Sequence, residues 1–244
     1  MHKEKNVRKI HTQKGILTFK PHFIYQGVKR IHKPTALENL KCVLDILNKN
    51  HVRTSPADGT LLGIIRDGDF IDWDEDIDLN ILEEDIEAFK VSLWDMLDAG
   101  FELLRCERCG HLYSIRRNNE YIDFYVLEKI SPEVRTNMGT DFVLDKHVTN
   151  LMYWPFKDIT IQIPVEYEKY LELMYGNWRK PVQYANYEMN GLQILKKKLW
   201  VWLKELPPYS IRLRLLKHHH KKHLQKFLRR CKKYNVELKY PINY

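Results

Sequence analysis

The chain has 244 residues, 44% of them apolar and 12% aromatic, and a formal charge of +8 at neutral pH. That size and composition exclude general disorder and allow one large domain or a domain with a smaller helical appendage. The first twenty residues are rich in Lys and His and lack the apolar block of a secretory signal, and runs such as Leu61–Ile65 and Leu199–Leu203 fall far short of the roughly 20 residues of a membrane span, so the sequence predicts a cytoplasmic protein.

Thr35 followed by Glu38 reads as a capping box, and Leu37, Leu40, Val43, Leu44 and Leu47 then repeat at helical spacing, which predicts a helix over 35–49. Residues 51–57 read as a strand delivering the chain to Gly59. A short helix over 60–66 ends at the Asp67-Gly68 turn signal. Residues 76–82 read as a strand, and Ile86, Phe89, Leu93, Met96 and Leu97 mark an amphipathic helix that stops at Gly100. Three extended segments, 101–106, 111–116 and 121–127, are separated by Arg108-Cys109-Gly110 and Asn118-Asn119 and predict an antiparallel meander. Residues 128–157 show no periodicity and read as a long loop with short helical pieces. A strand over 158–163, a helix over 166–175 stopped by Gly176, and a helical remainder beyond Glu188 complete the chain.

The four cysteines, at 42, 106, 109 and 231, are too few and too scattered for a disulfide framework. Cys106 and Cys109, followed by His111, permit a zinc knuckle, but one CxxC without a second pair is better read as a hairpin turn. His147 and the run His218-His219-His220 lack a carboxylate partner at metal-site spacing and read as surface groups.

The densest chemistry lies between Asp58 and Leu79. Asp76 and Asp78, two apart on an extended strand, project to one face and can chelate a hard cation, while Ile77 and Leu79 point into the core. Asp123, an acid in an otherwise apolar and aromatic strand, can complete a three-carboxylate site. Gly59 and Thr60 offer backbone N–H groups at a helix start, where phosphate oxygens bind well. Arg66, about two turns along that helix, can reach a phosphate. An isolated DxD is as often a solvated turn, but here the acids alternate with aliphatics and follow G-T-x-x-G-x-x-R. Trp73 reads either as a stacking platform for a base or cationic headgroup or, more simply, as core; Tyr113, Tyr121 and Trp178 carry the same two readings.

At these residues the chain resembles the LicD family of phosphotransferases, which includes the fukutin-related proteins and belongs to the DNA polymerase β-like nucleotidyltransferase superfamily. The family's LLG-x-x-R and F-I-x-W-D-x-D-I-D segments are matched by Leu61–Arg66 and Phe70–Asp78, and its late strand-helix element by Ile163-Pro164 through Tyr175-Gly176-Asn177-Trp178. The resemblance covers roughly residues 35–182. It departs at Asp72, where the family usually has proline, and at Glu75, where many bacterial members have Asp. It implies an α/β (α+β) fold with a polymerase β-like core and a mixed sheet, and leaves the first thirty residues and the basic tail unassigned; with the helical reading of that tail as a carboxy-terminal extension, the chain divides into an amino-terminal extension over 1–34, a catalytic domain over 35–187 and a basic helical region over 188–244. It further implies Mg²⁺-dependent transfer, with Mn²⁺ as the alternative ion, of a phosphate-linked group from a CDP-linked donor to a sugar hydroxyl of a cell-surface glycan such as lipopolysaccharide or capsule. The group is phosphocholine in LicD enzymes and ribitol phosphate in the fukutin branch. Asp76, Asp78 and Asp123 would then hold the metal, Asp123 would accept the hydroxyl proton, Arg66 would steady the diphosphate, and CMP would leave.

Two other readings compete. A nucleotidyltransferase moving NMP to a small acceptor would use the same core and differs in which phosphorus is attacked. A nucleic-acid-binding module is suggested by the pI near 9.1. Residues 193–244 carry 15 Lys and Arg against two Glu, a net +13, whereas the preceding part is −5. Those cations alternate with Leu213, Leu216, His220, Leu224, Phe227, Leu228 and Cys231 at helical spacing, without base-reading residues. That pattern argues against nucleic acid and leaves two options, an anionic membrane surface bearing a lipid-linked acceptor or a basic helix packed on the core.

Overall fold

The computed structural model describes residues 7–22, 24, 29–107, 110–182, 191–205 and 223–239. Its centre is a mixed sheet with strand order β3 (Thr54–Pro56), β4 (Ile77–Leu82), β7 (Glu120–Lys129), β6 (Leu112–Arg117), β5 (Glu102–Glu107). The β4·β7 pair is parallel, and the β3·β4, β5·β6 and β6·β7 pairs are antiparallel. The meander over β5–β7 is thus present, with Asn118 and Asn119 both at positive φ in its second turn, as a tight hairpin between right-twisted strands requires.

The two faces of this sheet differ in chemistry because side chains alternate along each strand. One face stacks Ile77, Ile122 and Ile115 in one row and Leu79, Phe124 and Tyr113 in the next. It is covered by α1 (Lys33–Lys49) and α3 (Ile86–Asp98), whose Leu40, Val43, Leu47, Phe89, Leu93 and Met96 join the same buried core. Phe89 meets Tyr113 edge-on at 5.1 Å and Phe124 at 4.9 Å between ring centroids. The opposite face carries polar residues, and α2 (Asp58–Arg66) docks on it.

Several expectations need correction. Helix α1 begins at Lys33, with Pro34 in its first turn, so Thr35 lies inside the helix and does not cap it; its hydroxyl bonds the His32 ring instead. Proline pre-sets the helical φ and lacks an N–H that would go unpaired there. The supposed loop over 128–157 contains β8 (Val134–Thr136), β9 (Val143–Leu144), α4 (Lys146–Thr149) and β10 (Leu151–Phe156). Strand β10 forms a hairpin with β11 (Ile159–Pro164) through Lys157 at positive φ. Pro155 and the absence of a glycine in that turn hid it. Helix α5 (Tyr167–Tyr175) ends at Gly176, whose φ of 68° fits a glycine stop.

The amino-terminal segment folds back as a hairpin, β1 (Arg8–Thr12) and β2 (Gly15–Phe19), whose Ile10, Leu17 and Phe19 join the main core. Trp94 of α3 donates to Thr12 at 3.0 Å. At the other end, α6 (Gly191–Glu205) and α7 (223–233) are helical. Phe227 and Cys231 of α7 are buried with Ile130, Val134 and Phe142 in a second small core, so this part of the basic stripe packs on the body. Residues 206–222, which carry Leu213, Leu216 and His218 to His220, lie outside the described residues. No helix among the described residues is long and apolar enough to cross a membrane.

Candidate active site

The parallel pairing of β4 with β7 sets Asp78 directly opposite Asp123. Asp76, just before β4, lies on the same face. Atoms from the three carboxylates lie within 4.8 Å of one another. Mg²⁺ binds oxygens at ~2.1 Å, so two oxygens on one ion are at most ~4.2 Å apart, and the three carboxylates would draw slightly inward to share it. The residues are 9%, 8% and 1% exposed for Asp76, Asp78 and Asp123. Burial, reinforced by the neighbouring carboxylates, pushes the Asp76 and Asp78 carboxyls well above their ordinary range. A hard cation among oxygen donors would relieve that repulsion, so the residues present suit a divalent metal.

Helix α2 is pinned to the acidic strand at its start. The Thr60 hydroxyl accepts the Asp78 N–H at 2.8 Å, and the Asp78 carbonyl accepts the Ala57 N–H at 2.9 Å. Asp58 takes a φ of 40°, an uncommon conformation for a non-glycine that is tolerated best by Asn and Asp. The Asp74 side chain lies on Gly59: a Cβ there would fall 2.4 Å from Asp74 Oδ2 and would displace that carboxylate. Asp58 and Asp74 therefore join the acidic group, each adding to the repulsion at Asp78. Burial raises the Asp74 pKa. The sequence reading passed over both acids because only alternate positions on the strand were weighed.

The other expected residues fall as follows. Arg66 is at the carboxyl end of α2 and forks onto Asp67 with two bonds of 2.7 Å. Trp73 is half-buried against the main core, and Trp178 is buried in it with the Arg179 guanidinium 4.2 Å from its ring centroid. Tyr113 belongs to the apolar face. Tyr121 sits beside Asp76, its buried hydroxyl turned toward that carboxylate. Cys106 is a free thiol whose pKa is raised by burial, while Cys109 lies outside the described residues. The acidic trio is the cluster with metal-ligating spacing among the described residues.

His147 is corrected from a surface group to a buried one, 1% exposed and edge-on to Tyr170 at 5.3 Å. Neither ring nitrogen has a partner among the described residues. Burial, then the Lys146 charge, lowers its pKa to about 4. The unfolded chain, with an ordinary histidine, binds the proton more readily. Stability linked to His147 is therefore whole above about pH 6.5 and is lost as pH falls to about 4, by roughly 2–3 kcal/mol. Urea titrations of wild type and His147→Leu across that window should show the difference between them changing by this amount. A constant difference would mean the ring is not buried neutral.

Two residues missed in the sequence complete the polar face. In register across four strands stand Asp78, Asp123, Ser114 and Arg105. Ser114 Oγ donates to Asp123 Oδ1, and Arg105 Nη2 donates to Asp123 Oδ2. Simple alternation puts Arg105 on the face of Leu103, which is the apolar one. A β-bulge between Leu103 and Arg105 shifts the register and turns the arginine to the polar face, a use of bulges common beside active sites.

A mixed sheet with three acids on or just before adjacent strands, and a helix start docked beside them, suits the holding of a divalent cation near a phosphate group. The family model described as LicD/FKTN/FKRP, nucleotidyltransferase domain, matches residues 51–166, and this match supports a transferase similar to that family. A mouse protein, ribitol 5-phosphate transferase FKRP, is 28% identical over 177 residues, covering 64% of this chain and 34% of that protein. The chain thus spans about a third of that relative's length. Among solved structures, lincosamide antibiotic adenylyltransferase LnuA aligns over 66% of this chain and 93% of its own, at 12% identity and a TM-score of 0.41. Antibiotic-resistance factor ANT(2'')-Ia aligns over 78% and 100%, at 14% and 0.42. Likeness at these scores is too slight to add to the family match.

Proposed function

We propose that the chain transfers a phosphate-linked group, such as phosphocholine or ribitol phosphate, from a CDP-linked donor to a sugar hydroxyl of a glycan. The observation that carries this reading is the buried Asp76, Asp78 and Asp123 trio inside the segment that matches the LicD/FKTN/FKRP family model. Asp76, Asp78 and Asp123 would hold Mg²⁺ or Mn²⁺, which when bound neutralises charge on the donor's phosphate oxygens. The acceptor oxygen bonds to the phosphorus of the transferred group as the bond from that phosphorus to CMP breaks. CMP leaves with the bridging oxygen, and the hydroxyl proton passes to Asp123. A carboxylate offers about four lone-pair positions, so the bonds from Ser114 and Arg105 leave Asp123 capacity to accept it. Backbone N–H groups at Gly59 and Thr60, with Arg66 exchanging Asp67 for the diphosphate, would orient the donor. The packing of Trp73 on the core favours a structural role over stacking.

Incubation with CDP-choline, CDP-ribitol, CDP-glycerol and CDP-ethanolamine, with CMP release as the readout, tests the reading. Release of pyrophosphate from a nucleoside triphosphate, with no CMP from any of the four, would replace it by transfer of NMP.

The acceptor side points to an anionic membrane surface. Leu192, Leu195, Leu199, Trp200 and Leu203 of α6 are all exposed. They fall on one side of a helix that also carries Lys196, Lys197 and Lys198, a pattern suited to an interface. Because Phe227 and Cys231 are core residues, truncation of the tail would confuse membrane contact with unfolding. Leu199→Ser with Trp200→Ser is the cleaner variant. The wild-type protein should sediment with anionic liposomes at low salt and less at high salt, and the variant should stay in the supernatant with unchanged thermal stability. Wild type remaining in the supernatant at both salts would remove the membrane from the reading.

A further inference from the structure

The acidic group has a cation of its own. Arg105 is separated from Asp123 by a whole strand, yet its side chain crosses β6 and reaches the carboxylate. Three features allow this. The bulge beside Leu103 turns Arg105 to the polar face. The residue it must cross is Ser114, small enough to leave a passage. Finally, Ser114 is part of the attachment: its hydroxyl accepts from Arg105 Nε at 2.5 Å and donates to Asp123 Oδ1, while Arg105 Nη2 donates to Asp123 Oδ2. Both oxygens of Asp123 are thus held by a closed ring of three side chains. Asp123 and Ser114 are buried, at 1% and 0% exposure, so the ring sits where water screens little.

We propose that Arg105 is a positioning residue of this site, a resident counter-ion that fixes the Asp123 carboxylate through Ser114 and weakens the pull of the acidic group on a divalent cation. The inference rests on the metal reading of Asp76, Asp78 and Asp123. A guanidinium in contact with one of three shared carboxylates competes with any ion that approaches the other two, at close range and in a poorly screened setting. It also holds Asp123 in one orientation beside Asp76 and Asp78. A site tuned this way binds its ion less tightly than a bare cluster but presents a fixed carboxylate to the acceptor hydroxyl.

The two parts make opposite demands on binding and turnover, which separates them from a merely structural role. In Arg105→Met, Mn²⁺ measured by calorimetry should bind about tenfold tighter or more, while kcat for CMP release falls by about tenfold or more at little change in donor KM. In Arg105→Lys, charge is kept and the fork is lost, so Mn²⁺ affinity should stay within about threefold while kcat still falls. Ser114→Ala keeps the arginine and should behave like Arg105→Lys, and it decides the matter if Arg105→Met fails to fold. Wild-type turnover in Ser114→Ala, or weaker Mn²⁺ binding in a folded Arg105→Met, would overturn the proposal. If the wild-type chain binds no Mn²⁺, the metal site itself falls and this role falls with it; if it binds and the variants match it, only the role of Arg105 falls.

Discussion

Asp78→Asn should abolish turnover, lowering it by at least about a thousandfold, and at the same time raise the thermal midpoint of the metal-free protein. The two effects share one cause. Asp78 is buried, opposite Asp123 and close to Asp76, Asp58 and Asp74, so its charge is opposed by burial and by every acidic neighbour. An amide of equal size removes that repulsion and takes away a metal ligand. Asp76→Asn should do the same, because its carboxyl is raised by burial and by Asp123, Asp74 and Glu75. In wild type, Mg²⁺ should raise the midpoint by mass action, and in either variant that increment should largely vanish. Scanning calorimetry with and without Mg²⁺, beside a CMP-release assay with an EDTA control, measures both. Turnover above a few per cent of wild type in Asp78→Asn, or turnover that survives EDTA, would end the assignment of these aspartates to a metal.

Gly63→Ala should cost about 3 kcal/mol of stability, which lowers the midpoint of a chain of this size by about 10 °C. A Cβ on Gly63 would lie 2.6 Å from the Asp69 carbonyl oxygen and 3.0 Å from the Ile71 nitrogen. Those atoms are backbone and cannot rotate away. The same segment leads through Asp74 to Asp76 and Asp78, so a shift forced at Ile71 should reach the acids and lower turnover as well. Gly191→Ala, at a position with nothing within 4 Å of the added carbon, is the matched control and should change stability by less than about 0.5 kcal/mol. Equal midpoints for Gly63→Ala and wild type would show that α2 can lift off the turn that follows it.

Much of the site was legible because its parts are close in sequence or follow the strand period. Asp76 and Asp78 two apart, with Ile77 and Leu79 between, state which face is wet and which is dry. The elements with strong periodicity, α1, α3 and the β5–β7 meander, lie where the pattern puts them, within the few residues by which helix ends are set by caps and prolines. The LLG-x-x-R segment also has a local reason that the structure supplies, the passage of a neighbouring backbone over Gly63.

What the sequence alone could not decide was everything that depends on register and on packing between distant segments. That Asp123 faces Asp78 follows from a parallel pairing across forty-five positions of chain, which no local pattern encodes. Arg105 was hidden because a single bulged residue reverses the face of all that follows it on the strand, and periodicity assumes no bulge. His147 was read from polar surroundings in sequence, yet it is buried against Tyr170, and of the two readings left open for the basic stripe the packing of Phe227 beside Phe142 selects the core for that part. Residue type and alternation thus determined the chemistry of the acidic strand and marked Asp123 as a candidate third acid, while the folded chain alone decided the register that sets Asp123 opposite Asp78 and the bulge that brings Arg105 to it.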